Sequence, residues 1–381
     1  MALHGVAAAW LLGAAMGLAG CTLSHDRDDD AAPARDVSAA LAGADTAGHA
    51  RARAVREFVF PADHGPHEEF KTEWWYFTGT LATREGRRFG YQLTFFRDAF
   101  APEAGAAPAA GSAAARGWRS RQAGFAHFAV SDIDGGGFHP FERFSRWGAG
   151  LAGAEAAPFR VWLDDWRVVD SAGVWRLHAR EGDVALVLDL VAERAPVLQG
   201  DRGLSRKSAG EGNASYYYSI TRLASRGTVE VGGVRHAVAG TTWLDREWST
   251  SVLSPAQQGW DWFSLRLDDG RDLMLFQLRL KDGGVDAYSA GSVVDASGKV
   301  RALSSAEFSI EALEWWTSAR TGVRYPVRWR VRVPSAGIVG EVRAMQFDQE
   351  LPLTIRYWEG AVGFAGRGVR GEGYAELTGY K

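Results

Sequence analysis

The sequence predicts an all-β protein. It carries 16 Trp, 10 Tyr and 19 Phe, spread over many short alternating segments rather than gathered in one. That load suits pleated surfaces around an aromatic interior or an apolar cavity. Two aromatic hairpins stand out, and long amphipathic helical patterns are almost absent. Ser305 to Trp316 reads as a short helix, and alanine-rich Val37 to Ala44 as a weak one.

The first hairpin runs from Glu73 to Leu81, turns at Arg84-Glu85-Gly86 and returns from Phe89 to Arg97. Two β runs about a short glycine-containing turn are a hairpin signal. The second runs from Trp260 to Leu267, turns at Asp268-Asp269-Gly270 and returns from Leu273 to Leu278. Both open on paired or alternating tryptophans, turn at an acid, a glycine and an arginine, and return through an apolar run containing Gln. They resemble copies of one β unit and place a domain boundary near residue 250. Between them, strands are expected at Gly124 to Ser131, Phe159 to Val169, Trp175 to Arg180 and Ala185 to Glu193. Tyr216 to Arg222, Thr228 to Val231 and His236 to Leu244 continue the pattern, with Glu181-Gly182-Asp183, Gly227 and Gly232-Gly233 as turns. Later strands are expected at Tyr325 to Val333, Ile338 to Phe347 and Gly371 to Thr378, and residues 101 to 120 read as a loop.

The N-terminus carries a different signal. The stretch from Ala2 to Gly20 is nearly uncharged and ends Leu18-Ala19-Gly20-Cys21. It is short and Ala/Gly-rich for a membrane-spanning helix. Small residues before a lone cysteine fit a lipoprotein signal peptide, residues 1–20, with Cys21 as the lipidated residue. Several acyl chains on one cysteine anchor well where one holds weakly. Thr22 after the cysteine, in place of Asp, points to the periplasmic face of the outer membrane. Residues 21–56 are polar and poor in large apolar side chains, and read as a flexible tether. Residues 57–250 and 251–381 then form two β domains.

Composition excludes several classes. Net charge is -3, and arginines are interspersed with acids, so no nucleic-acid partner is expected. A single cysteine excludes a disulfide framework and a cysteine metal cluster. No nucleotide fingerprint, zinc motif or nucleophile elbow occurs, so neither a cofactor nor a metal is implied.

Several local patterns combine: His67-x-x-Phe70-x-x-Glu73-Trp74-Trp75-Tyr76, Phe89 to Arg97, and Trp243-Leu244-Asp245-Arg246-Glu247-Trp248-Ser249. Tyr357-Trp358-Glu359-Gly360 and Gly373 to Tyr380 complete the set. Together, over roughly residues 57 to 381, they resemble the family of AttH-like and carotenoid 1,2-hydratase proteins. The resemblance implies two consecutive lipocalin-like antiparallel β-barrel domains. It also implies, for the hydratases, protonation of a terminal isoprenoid alkene followed by addition of water. Fold transfers along such a resemblance better than function does.

Asp245 is the first candidate for the acid, matching on the resemblance the acidic position of carotenoid hydration. An alkene is a weak base and needs a protonated carboxylic acid, which burial or the neighbouring Glu247 would supply. The competing reading makes Asp245, Arg246 and Glu247 a salt network. In an extended segment Asp245 and Glu247 share a face, and Arg246 points the other way. Trp243 offers an aromatic face to a cation. Glu73 is a second candidate acid or base, with pairing to Arg97 or Lys71 as its structural alternative. His127 orients a substrate or is a satisfied core histidine. His64, His67 and His139 do not complete a zinc pattern with it. A triad of His127, Asp245 and Ser249 can be written on paper. Trp75, Phe77, Tyr91, Gln92, Tyr216, Tyr217, Tyr218 and Trp243 are expected to line an apolar pocket with a few polar anchors. Trp74, Tyr76 and Thr78 share the opposite strand face from Glu73, Trp75 and Phe77, and either set suits a cavity wall while the other packs outside or against the second domain.

Two functions follow. One is a cell-envelope lipocalin-like protein binding an apolar lipid, isoprenoid or polyene ligand, with the membrane and an envelope transporter as partners. The other is an enzyme that protonates an isoprenoid alkene through Asp245.

Overall fold

Why both faces of the first hairpin are aromatic becomes clear in the computed structural model, which describes residues 35–36, 46–100, 121–250 and 253–381. The chain builds two antiparallel sheets, one forming a nearly closed barrel and the other a half-barrel, called the first and second barrels in chain order. One face of each sheet is buried inside its own barrel, and part of the other is buried against the neighbouring barrel.

The first sheet comprises β1 (Thr72–Ala82), β2 (Arg88–Ala99), β3 (Gln122–Asp132), β4 (Gly137–Arg146), β5 (Ala152–Ala156) and β6 (Phe159–Leu163). It continues with β7 (Trp166–Ser171), β8 (Val174–Glu181), β9 (Val184–Ala192), β10 (Ala214–Val231) and β11 (Val234–Ser249). The order in space is β4-β3-β2-β1-β11-β10-β9-β8-β7-β6-β5. Pairing of the first strand with the last closes the ring, and the only break among these strands lies between β4 and β5, neighbours in sequence. Arg143 of β4 reaches residues of β7 and β8. Its guanidinium bonds Glu181 at 2.7 Å, pairs with Asp165 and lies 4.4 Å from the Trp166 ring.

The second sheet comprises β12 (Gln257–Leu267), β13 (Asp272–Leu280), β14 (Ala290–Val294), β15 (Val300–Ser304) and β16 (Ser309–Thr317). β17 (Arg324–Val333), β18 (Ile338–Ala344), β19 (Ile355–Gly366) and β20 (Val369–Leu377) follow. Its order is β15-β14-β13-β12-β20-β19-β18-β17-β16. Here too the first strand pairs with the last, and the break again follows the fourth strand. The two aromatic hairpins, β1-β2 and β12-β13, hold equivalent places in the two sheets. Gly86 and Gly270, with φ of 92° and 87°, supply the left-handed turn residue in each.

Alternation along the strands assigns the faces. Trp75, Phe77 and Leu81 enter the first barrel, while Trp74 and Tyr76 face the second. On β12, Phe263, Leu265 and Leu267 enter the second barrel, and Trp262 faces the first. Polar contacts cross between the barrels as well. Asp272, fully buried, accepts bonds from Arg194, Arg222 and Thr221 at 2.7–2.8 Å. Ser131 bonds Gln349 at 2.7 Å.

Several expectations need correction. Phe159 to Val169 is two strands, β6 and β7, because Asp164 adopts φ 53° and reverses the chain. Tyr216 to Arg222 and Thr228 to Val231 are parts of one strand, β10, with an irregularity between Ile220 and Leu223. Gly227 is therefore not a turn. A Cβ there would lie 2.0 Å from the Val187 carbonyl oxygen, so close backbone approach explains the glycine. Ser305 to Trp316 is not a helix. A capping box between Ser304 and Glu307 closes one 3-10 turn, Ser305–Glu307, and the chain then extends as β16. β4 had no counterpart among the expected strands.

Residues 46–56, expected in the flexible tether, lie against the first barrel. Ala52 is buried, Ala50 N–H donates to the Glu69 carbonyl at 2.8 Å, and Tyr216 donates to the Ala54 carbonyl at 2.9 Å. The backbone of Arg35–Asp36 runs parallel to Ile355–Arg356. The signal peptide, Cys21, Val37 to Ala44 and the loop of residues 101 to 120 lie outside the described residues.

Candidate functional site

A cavity of about 140 Å³ opens between the barrels. At about 10–15 Å³ per water it has room for roughly ten, or for one end of an apolar molecule. The first barrel contributes outward-facing residues of β1, β10 and β11: Trp74, Tyr76, Tyr217, Asp245 and Glu247. The second contributes Trp260, Trp262, Phe276, Tyr357 and Glu376. The walls are thus aromatic, with carboxyl groups set into both sides.

Asp245 is 3% exposed. Its Oδ1 accepts bonds from Ser219 Oγ at 2.5 Å and Trp243 Nε1 at 2.6 Å, and its Oδ2 accepts the Tyr217 hydroxyl proton. Trp262 Nε1 donates in turn to the Tyr217 oxygen at 3.2 Å, which ties the acid to the second barrel. Burial pushes the Asp245 carboxyl up to about 7. The bonds from Ser219, Tyr217 and Trp243 oppose this, and the Glu247 charge adds to it. The result is a carboxylic acid that is part protonated at neutral pH and fixed in orientation by three donors.

Glu247 shares this face but has a different partner. Lys207 Nζ lies 3.0 Å from its Oε1, and the Ser215 hydroxyl donates to it. Lys207 also sits 4.4 Å from the Phe276 ring, so the ion pair forms one polar end of the cavity.

Residues 51–380 of the chain match the AttH-like family model. The chain belongs to the AttH-like family. A solved structure of a candidate AttH from Nitrosomonas europaea is 37% identical, with a TM-score of 0.77 over 87% of this chain and all of that one. Kievitone hydratase from Nectria haematococca has a TM-score of 0.65 at 14% identity, covering 87% of this chain and 96% of that one. At that identity the likeness concerns the fold alone. No curated protein matches the chain.

In this AttH-like chain the sequence-derived candidates separate into groups. Asp245, Glu247 and Tyr217 line the cavity together. Trp243 is buried just behind the wall and holds Asp245 through its indole N–H. Gln92 and His127 also stand behind the wall. Gln92 Nε2 donates to the Tyr357 hydroxyl at 2.6 Å, and His127 Nδ1 lies 2.7 Å from it. Burial lowers the His127 pKa to about 3, so this imidazole stays neutral. His127 bonds Tyr357 while Asp245 bonds Tyr217, Ser219 and Trp243, so His127, Asp245 and Ser249 form no relay.

The remaining candidates point into the first barrel. Trp75, Phe77, Tyr91, Tyr216 and Tyr218 belong to its core, on the strand faces opposite the cavity. Glu73 lies there too, fully buried. It accepts bonds from Arg97 Nε and Arg246 Nη2, and from the His67 N–H at 3.0 Å. Burial opposes ionisation of Glu73, but the two guanidiniums hold its carboxyl well below the usual range. Arg246, between Asp245 and Glu247 in sequence, thus serves Glu73 on the other side of the sheet. His64 bonds the Tyr218 hydroxyl at 2.7 Å, and His67 stacks on Trp248 at 3.7 Å. His139 sits on β4, away from both.

Sequence reasoning missed Trp260, Trp262 and Phe276 as cavity residues, and it missed Glu376. The signal for Glu376 was an acid within the aromatic stretch Gly373 to Tyr380. Its pairing with a cavity on a different barrel lies 131 residues from Asp245 in numbering, out of reach of local pattern.

Proposed function

We propose that the cavity binds the unsaturated apolar part of a lipid, isoprenoid or polyene, and that Asp245 donates a proton to its double bond. The observation that carries this reading is a buried carboxyl with a pKa of about 7 at an aromatic wall. An aromatic cavity selects an apolar guest, and the acid has no use in a passive carrier. Proton transfer works best when the pKa of the acid lies near the working pH. The rings of Trp74, Tyr76, Trp260 and Trp262 line the cavity in which protonation creates a cation, the kind of charge aromatic rings stabilise. Water adding to that cation completes a hydration, and the reverse sequence is a dehydration. The shared fold with a protein named kievitone hydratase supports the same reading.

Tyr217, Ser219 and Trp243 fix the acid in place. Tyr217 reaches both Asp245 and Trp262, so the two barrels must stay docked for the acid to keep its geometry. The decisive experiment incubates the protein with an envelope lipid extract, repurifies it, and analyses bound and altered lipids by mass spectrometry. A species gaining the mass of water with wild type, but not with Asp245→Asn, is the expected result. A lipid retained unchanged by both proteins would instead make the chain a carrier and Asp245 a structural residue.

We also propose that the chain is exported and anchored through lipid on Cys21, on the strength of Leu18-Ala19-Gly20-Cys21. Cells fed labelled palmitate are expected to label wild type and not Cys21→Ser. Equal labelling of both would remove the anchor.

A further inference from the structure

Glu359 on β19 and Glu376 on β20 stand directly opposite each other in register. Their side chains therefore leave the same face of adjacent strands, an unfavourable place for two like charges. Glu376 lines the cavity and accepts a 2.8 Å bond from Trp260 Nε1. Glu359 is 1% exposed, and the groups placed to donate to its carboxyl are the neutral side chains of Tyr76, Tyr357 and Gln92. It shares its strand face with Tyr357, whose ring lines the cavity, so it is directed at the same wall from one residue pair deeper.

The groups facing Glu359 bring it no cation. Tyr76 comes from β1, with its hydroxyl directed at Glu359. Gln92 from β2 is committed to Tyr357, and neutral His127 from β3 bonds the same hydroxyl. Tyr374 and Glu376 come from β20, next to Tyr357 on β19. A buried carboxylate with neutral neighbours and no cation is costly, which favours the protonated form. Burial and then the Glu376 charge push the Glu359 carboxyl well above its ordinary range, against the opposing hydrogen bonds of Tyr76, Tyr357 and Gln92.

We propose that Glu359 and Glu376 share one proton and form a second acid–base station on the second barrel's wall of the cavity. Glu376 faces the bound molecule, and Glu359 holds the proton behind it. The inference rests on the reading of the cavity as a site of alkene hydration. There, the alkene π pair takes the Asp245 proton and leaves a cation on the neighbouring carbon. A water lone pair forms the C–O bond, and the resulting oxonium passes one proton to the charged Glu376. One water is added and one proton moves from Asp245 to the pair. Asp245 regains a proton from solvent, and Glu376 gives one up to it.

Infrared titration of carboxyl C=O bands tests the pair without any substrate. The full chain is used in an Asp245→Asn background, which removes the Asp245 band. A protonated carboxyl band titrating well above the ordinary carboxylate range is expected from Glu359. Glu359→Gln should abolish it. Glu376→Gln should keep it but move its titration to lower pH by at least about one unit, because the like charge is gone. Near-UV circular dichroism checks that each variant keeps its aromatic packing. A band that survives Glu359→Gln, or a titration unmoved by Glu376→Gln, overturns the pair. With Asp245 intact, squalene in oxygen-18 water tests the role. Glu376→Gln is expected to cut label incorporation by about 100-fold, and an unchanged rate overturns the station. A coupled pair together with no incorporation by wild type would sink the hydration reading while leaving the shared proton established.

Discussion

Replacing Glu73 by Gln is expected to destabilise the protein by about 3–5 kcal/mol, the cost of leaving buried charge without its counter-ion. Glu73, Arg97 and Arg246 are all fully buried, and one carboxylate serves both guanidiniums. Arg246 also lies 3.9 Å over the Trp75 ring, and Arg97 Nη2 bonds the Phe70 carbonyl at 2.7 Å. A neutral amide keeps the shape of Glu73 but leaves two cations in an apolar barrel. The thermal midpoint should fall by about 5 °C for a chain of this size. The contribution also has a defined pH dependence. Because the folded pKa of Glu73 is depressed, its stabilisation is present above the ordinary carboxylate range and is lost as pH falls toward the folded value. Urea unfolding of wild type and Glu73→Gln at pH 7 measures the difference. A loss below about 1 kcal/mol would mean that the guanidiniums find other acceptors. Replacing all three residues with Leu and Met should recover most of the stability, since a packed apolar trio needs no charge pairing.

Asp245→Asn is expected to lower the hydration rate by about 10²–10⁴-fold, the usual share of a positioned acid. The wild-type pH profile should fall as pH rises through about 7, where the acid form disappears. Glu247→Gln removes a neighbouring negative charge and should shift that fall to lower pH. Stability supplies a readout independent of turnover. The folded pKa of Asp245 is raised above its ordinary value of 3.8. Its contribution is therefore fully present below that value and is lost as pH rises through about 7. Wild type should lose stability between pH 5 and pH 8 relative to Asp245→Asn, which has no proton to release. Parallel urea curves for the two proteins would mean that Asp245 titrates normally and is no poised acid.

The all-β class and the two aromatic hairpins were legible in the sequence because strand alternation and turn chemistry are local. β1, β2, β12 and β13 fall where the runs of Trp, Phe and Leu and the glycines 86 and 270 put them. The alternation within Asp245-Arg246-Glu247 was equally legible, since a period of two sends the two acids to one face and the arginine to the other. Which face carries the cavity was not. Trp75 and Trp74 are the same residue type in adjacent positions, and pattern alone cannot tell a barrel interior from a surface covered by a second barrel. That choice depends on docking β1, β10 and β11 against β12, β19 and β20.

The sequence by itself determined the strand periodicity, the family and the shared strand face of Asp245 and Glu247. Tertiary structure decided that Tyr216 and Tyr218 are core while Tyr217 reaches the site, and that Glu73 is locked between two arginines. It also set Glu376 and Asp245 in the walls of one cavity. The physical reason is that burial and charge pairing are long-range. A carboxyl becomes a bound anion beside Arg246 or a poised acid beside Trp243 according to which distant strands surround it.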